Sequence, residues 1–183
     1  TRADDNDISY NTAAGKFMIT FIDDSGTPLK AIGVTVSGTS LEVDASVTTI
    51  AAAASAVPMN VYDSNADRIV VAWADSGNSS YGTAAVVTTG FDTLTSKNYI
   101  GISRGAAFQT GSGDAVGSET QFINQMGNEL SAGVYDPDSS KVILAYSDSD
   151  NSTRGTAVVG TVSGTSISFG SPAVYNSGTT EHI

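Results

Sequence analysis

Three runs of five residues, VILAY at 142–146, IVVAW at 69–73 and FMITF at 17–21, are apolar at odd and even positions alike, but for one Thr. Short and rich in β-branched and aromatic side chains, they read as strands covered on both faces. Each follows a polar turn, DPDSS at 136–140 or DSNAD at 63–67, whose Asp, Asn, Ser and Pro supply turn geometry and bond their own backbone. A second turn, DSDNS or DSGNS, leads to another apolar run, GTAVVGTV or GTAAVVTT. SGTS then turns the chain into ISFGSPAVY at 167–175, where Pro172 suggests a sheet edge. The pattern predicts strands at 68–74, 82–88, 141–147, 155–162 and 166–169, and no helix beyond two turns. Only ETQFINQMGNEL, 119–130, has apolar residues near helical spacing, at Phe122, Ile123, Met126 and Leu130, and a short helix fits there.

These elements recur. At an offset of 73, Tyr62, Asp63, Ala72, Asp75, Ser76, Asn78, Ser79, Gly82, Thr83, Ala84 and Val86 fall on identical residues from Tyr135 to Val159 without a gap. A third copy starts at Tyr10 and joins at an offset of 125 to 126, with one extra residue near Asp23. Tyr10, Tyr62 and Tyr135 are therefore expected in equivalent places at strand starts, and Phe21, Trp73 and Tyr146 at strand ends. The copies divide one continuous β domain into a diverged first repeat at 1–57, a second at 58–131 and a third at 132–183. The second carries an insertion at 90–131, in which NYIGIS could add a strand and QTGSGDAVGSE reads as an exposed excursion. About four short strands in roughly 50 residues is the size of one β-propeller blade. The expected fold is all-β, with antiparallel propeller-like blades in about three repeats; the alternative is a β-sandwich, whose strands should each keep one polar face.

Composition narrows the function classes. A 183-residue chain with 40% apolar residues can bury an ordinary core. Eight Lys and Arg against nineteen Asp and Glu give a charge of −11, which repels a phosphate backbone, so nucleic acid is not an expected partner. Cysteine is absent, which rules out disulfides and thiolate metal sites. The most apolar small-residue run, IAAAASAVPM at 50–59, is far short of the roughly 20 residues a helical membrane span needs, so membrane insertion is not expected. The opening TRADDND has neither Met nor a signal-type apolar region and is expected of a processed chain or a fragment.

Candidate chemistry is sparse. DSDN at 148–151, DPDS at 136–139 and DDND at 4–7 offer oxygens to calcium, yet none has EF-hand spacing, and solvated turn acids explain them. The arginines Arg2, Arg68, Arg104 and Arg154 are not grouped as a carboxylate-binding site requires. Glu42, Glu119, Glu129 and Glu181 are scattered, where a glycosidase needs two facing carboxylates. His182, the only histidine, adjoins the last residue. No catalytic, cofactor-binding or metal-ligating residue is assigned, no cofactor is expected, and the reading is non-enzymatic.

The turns YSDSDNSTRG and WADSGNSSYG resemble the Asp-box hairpins of sialidase-like propellers, in which an Asp and a Gly shape a turn. The repeats YDPDSSKVILAYSDSDNSTRGTAVVGTVSGTSISFGSPAVYNSGTTEHI and VYDSNADRIVVAWADSGNSSYGTAAVVTTG, with LTSKNYIGISRGAAFQTGSGDAV, resemble a repeat region of marine bacteriophage tail-associated structural proteins of the tail-fibre or nozzle type. The resemblance covers 58–183 and implies propeller-like modules in a virion, outside the cell. It implies a host-attachment or structural role, with other virion proteins or copies of the same chain as partners and a host surface glycan as a further one. The alternative function is an extracellular lectin-like or glycan-processing β-propeller. Exposed strand edges near both termini, including 8–10 and 177–183, are expected to meet further copies or neighbouring protein.

Overall fold

The computed structural model describes residues 3–23, 28–54, 58–88, 115–124 and 126–180. They form an all-β molecule of three antiparallel sheets. The first sheet contains β1 (Ala3–Asn11), β2 (Lys16–Asp23), β3 (Leu29–Ser37), β4 (Ser40–Val43) and β5 (Thr48–Ala51). The middle sheet contains β6 (Met59–Asp63), β7 (Arg68–Asp75), β8 (Tyr81–Thr88), β9 (Ala115–Val116) and β10 (Thr120–Ile123). The third contains β11 (Met126–Asp136), β12 (Lys141–Asp148), β13 (Arg154–Ser163), β14 (Ser166–Phe169) and β15 (Ala173–Thr179).

Each sheet is a four-stranded meander whose last strand is broken in two. In the first, β4 pairs with one end of β3 and β5, running on in the same direction, with the other. β9 and β10 divide β8 in the same way, and β14 and β15 divide β13. At each break one amide crosses back: Asp44, Gly117 and Gly170 donate to the carbonyls of Gly33, Val86 and Val159. Pro172 lies in the break of the third sheet, at an edge, where its missing N–H costs no ladder bond.

Register confirms the alignment residue by residue. Tyr10, Tyr62 and Tyr135 oppose Phe17, Ile69 and Val142. All three tyrosines are the penultimate residue of a first strand, not its start, because the turn after them and not the strand before them is what the copies share. Phe21, Trp73 and Tyr146 oppose Lys30, Thr83 and Thr156 near the ends of the second strands. The ladder partners Val87 and Val116 are separated by far more chain than Val34 and Val43 or Gly160 and Phe169. The surplus of the second repeat thus falls in its third turn; NYIGIS and the first part of QTGSGDAVGSE lie outside the described residues.

Alternation along the paired strands gives each sheet two unlike faces. The front carries the large side chains: Phe17, Ile19 and Phe21 in the first sheet, Ile69, Val71 and Trp73 in the middle, Val142, Leu144 and Tyr146 in the third. The front of the middle sheet packs on the back of the first, through Met18, Ile22, Leu29 and Ala31. The front of the third packs on the back of the middle, through Val61, Val70, Ala72, Ala84 and Val86. Two apolar layers cover the middle sheet, which is why IVVAW is apolar at every position. A two-layer sandwich does not describe this stack, and the described residues close no ring. Neighbouring sheets approach most closely along their first strands, β1 to β6 and β6 to β11.

One expectation holds and one differs in detail. Among the described residues, the absence of a long helix holds even where helical spacing offered one: Thr120–Ile123 is β10, pairing β8, and Met126 begins β11. DDND at 4–7 is no turn but part of β1, bulged between Asp4 and Asn6, with Asp5 at φ +47°.

Candidate functional site

Polar side chains concentrate in two sets of turns at opposite ends of the strands. In the first set, Asn11, Asp63 and Asp136 occupy one position, and each bonds its own turn. Asn11 Oδ1 accepts from the Ala14 amide at 2.9 Å; Asp63 Oδ1 accepts from Asn65 and Ala66 at 2.9 and 3.0 Å. Asp136 accepts from the Asp138 amide at 3.1 Å and from the Ser139 hydroxyl. The Ser139 hydroxyl and then the Asp138 amide hold the Asp136 carboxyl below its ordinary range, since both bonds favour the charged form. Gly15, Asp67 and Ser140 close these turns at φ +66°, +52° and +55°.

The second set contains the 3₁₀ turns Ser76–Asn78 and Ser149–Asn151. Asp75 Oδ1 accepts from the Gly77 amide at 2.9 Å and so caps its turn. Asp148 makes no such bond. The third copy has Asp150 at the place of Gly77. Glu119 stands near Asp75 at this end; partial burial, and then the Asp75 charge, raise its pKa.

The cations are used locally. Arg68 donates to the Asp67 carbonyl at 2.7 Å and Arg154 to Asn151 Oδ1 at 3.1 Å. They flank turns of opposite sets in different sheets and do not converge; Arg2 and Arg104 lie outside the described residues. Lys16 pairs with Asp44 at 2.9 Å, Lys30 with Asp23, and Lys141 donates to Thr161 Oγ1 at 2.9 Å. Glu42 is exposed on β4, while Glu181 and His182 lie outside the described residues. Among the described residues no three His, Cys, Asp or Glu side chains gather to hold a metal ion, and no helix is long and apolar enough to cross a membrane.

A polar link between the first two sheets has no signature in the sequence. The Asn60 amide N–H donates to Asp7 Oδ2 at 2.7 Å, and its side chain donates to Thr20 Oγ1 at 2.9 Å within the buried layer. It escapes a repeat search because Asn60 has no polar counterpart at Gly133. Trp73 and Tyr146, equivalent and fully buried, keep their N–H and O–H without a protein partner.

The remaining candidate is the apolar surface at the two ends of the stack. The front of the first sheet exposes Ile8, Tyr10, Val36, Leu41 and Val43, with the Tyr10 and Phe17 rings 4.7 Å apart. The back of the third exposes Val134 and Val159. Adjacent apolar groups left in water on one face mark interaction surfaces. Of the terminal segments, 8–10 lies on β1, an edge strand of the first sheet, and 177–179 on β15, an edge strand of the third, while 181–183 lies outside the described residues. No family model, curated protein or solved structure matches the chain.

Proposed function

We propose that this chain is a non-enzymatic structural or host-attachment module of a bacteriophage tail, working by protein–protein or surface-glycan contact in the virion. The observation that carries the reading is where the polar atoms go. Asn11, Asp63, Asp75 and Asp136 are each bonded to their own turn, and Arg68 and Arg154 to neighbouring residues. A reaction needs one asymmetric constellation of groups, whereas a scaffold needs turns that repeat and faces that stack. The text of the repeats, which resembles tail-associated phage proteins, supports the particle, and three antiparallel sheets stacked face on face support a scaffolding role.

Mass spectrometry of purified virions tests the assignment, with immunogold labelling to place the chain on the tail. Peptides of this chain in the tail fraction are the expected result. A secreted protein absent from particles, or hydrolysis of a glycan panel by the purified chain, would overturn it.

A further inference from the structure

The two open faces are the same two faces that already meet twice inside the molecule. Leu41 is 67% exposed on the front of the first sheet, while its equivalent Ile167, packed against the middle sheet, is 5% exposed. Val159 is 44% exposed on the back of the third sheet, while its equivalent Val86 is 0% exposed under the third sheet. The tyrosine position follows the same rule: Tyr10 is exposed on the open front, whereas its equivalents Tyr62 and Tyr135 are half-buried. Both internal junctions pair a front with a back, and neither pairs two fronts or two backs. The internal junctions therefore define what each outer face accepts.

We propose that the front of the first sheet docks the back of the third sheet of a second copy of this chain, and reciprocally, so that two copies close head to tail. Junctions of one kind, repeated with one rotation, close into a ring when the rotation allows. The close approach of β1, β6 and β11 puts that rotation axis beside the first strands. Three sheets per chain make six in a pair, within the 4 to 8 that such rings use. At the new junction Gly170 would lie under the SGTS turn at 37–40, as Gly117 lies under the equivalent turn at Thr165. The proposal is independent of the particle the chain belongs to, so either can fail without the other.

Light scattering coupled to size exclusion, on the 183-residue chain and two variants, tests it. Leu41→Glu charges the front and Val159→Glu the back; both sites are exposed, and circular dichroism checks that each variant is folded. The wild type is expected as a dimer and each variant alone as a monomer, because every junction needs one intact front and one intact back. Mixing the two variants is expected to restore a 1:1 dimer through the single junction whose faces are both intact, with a dissociation constant weaker than that of the wild type. A monomeric wild type overturns the proposal. So does a dimer that survives either substitution, the mark of front-to-front or back-to-back pairing, or folded variants that stay apart when mixed.

Discussion

Gly117 and Gly170 occupy one position in two copies of the repeat, each donating its amide across the break in a fourth strand, yet their surroundings differ. A Cβ on Gly117 would stand 3.0 Å from the Thr165 carbonyl carbon, closer still to its oxygen, and 3.2 Å from the Val86 oxygen. These are backbone atoms of two sheets, so no rotamer change relieves the contact; the β13–β14 hairpin must lift away. Overpacking of this kind costs about 1–3 kcal/mol. On Gly170 the same Cβ would meet only the Val159 oxygen, at 3.8 Å. Neither glycine has positive φ, so alanine at 170 should stabilise by about 0.4–1 kcal/mol through the unfolded chain. Near this chain length 1 kcal/mol moves the melting temperature by about 2–4 °C. Gly117→Ala should therefore melt roughly 2–12 °C lower and Gly170→Ala slightly higher. The assay is calorimetry of both variants in the Leu41→Glu background, so that association does not contribute. Equal shifts for the two substitutions would refute the packing of the third sheet on the middle one.

Trp73→Ala should cost about 3–5 kcal/mol in denaturant unfolding, because a fully buried indole at a junction leaves a cavity. Tyr146→Phe should be neutral or stabilising, since it removes a buried hydroxyl with no protein partner. Burial, and then the Asp148 charge, push the Tyr146 phenol up to about 12. Its folded pKa exceeds the unfolded value near 10, so its contribution is full below that pH and lost as pH rises toward about 12, by roughly 3 kcal/mol in all. Tyr146→Phe should flatten that part of an alkaline unfolding profile. Ser139→Ala should raise the Asp136 pKa in an NMR titration, because the hydroxyl is the largest cause of its lowering. The wild-type contribution of Asp136 is present above the unfolded carboxylate pKa and falls away on acidification through the depressed value. Gly15→Ala should destabilise by about 1 kcal/mol and Asp67→Gly should not, as both close a first turn at positive φ; chemical denaturation measures the pair.

Much of the fold was legible because one sentence of sequence is written three times. Runs such as IVVAW and VILAY located β7 and β12 to within a residue, since a strand covered on both faces must be apolar throughout. The extra residue inferred near Asp23 lies between β2 and β3, where the structural offset changes. β1 was not legible: DDND looks like a turn by composition, but pairing with β2 and the bond from Asp7 to Asn60 override that preference. At the start of β11 the apolar residues fit two periodicities, and only the ladder decides between them. The open faces were invisible as such, because nothing in a single strand's text says whether a neighbouring sheet is present to cover it.

The middle sheet shares a junction with each of the others, while each outer sheet has only one. Opening an outer sheet forfeits one junction, but opening the middle one forfeits both, so local stability is graded from the centre outward. Amide hydrogens of β7 and β8 will exchange last, at a free energy near that of global unfolding. Those of β1 and β15 will exchange through partial openings that leave the centre intact. A repeat written almost evenly along the chain thus folds into a molecule whose lifetime against opening is uneven, longest where the sequence shows nothing exceptional.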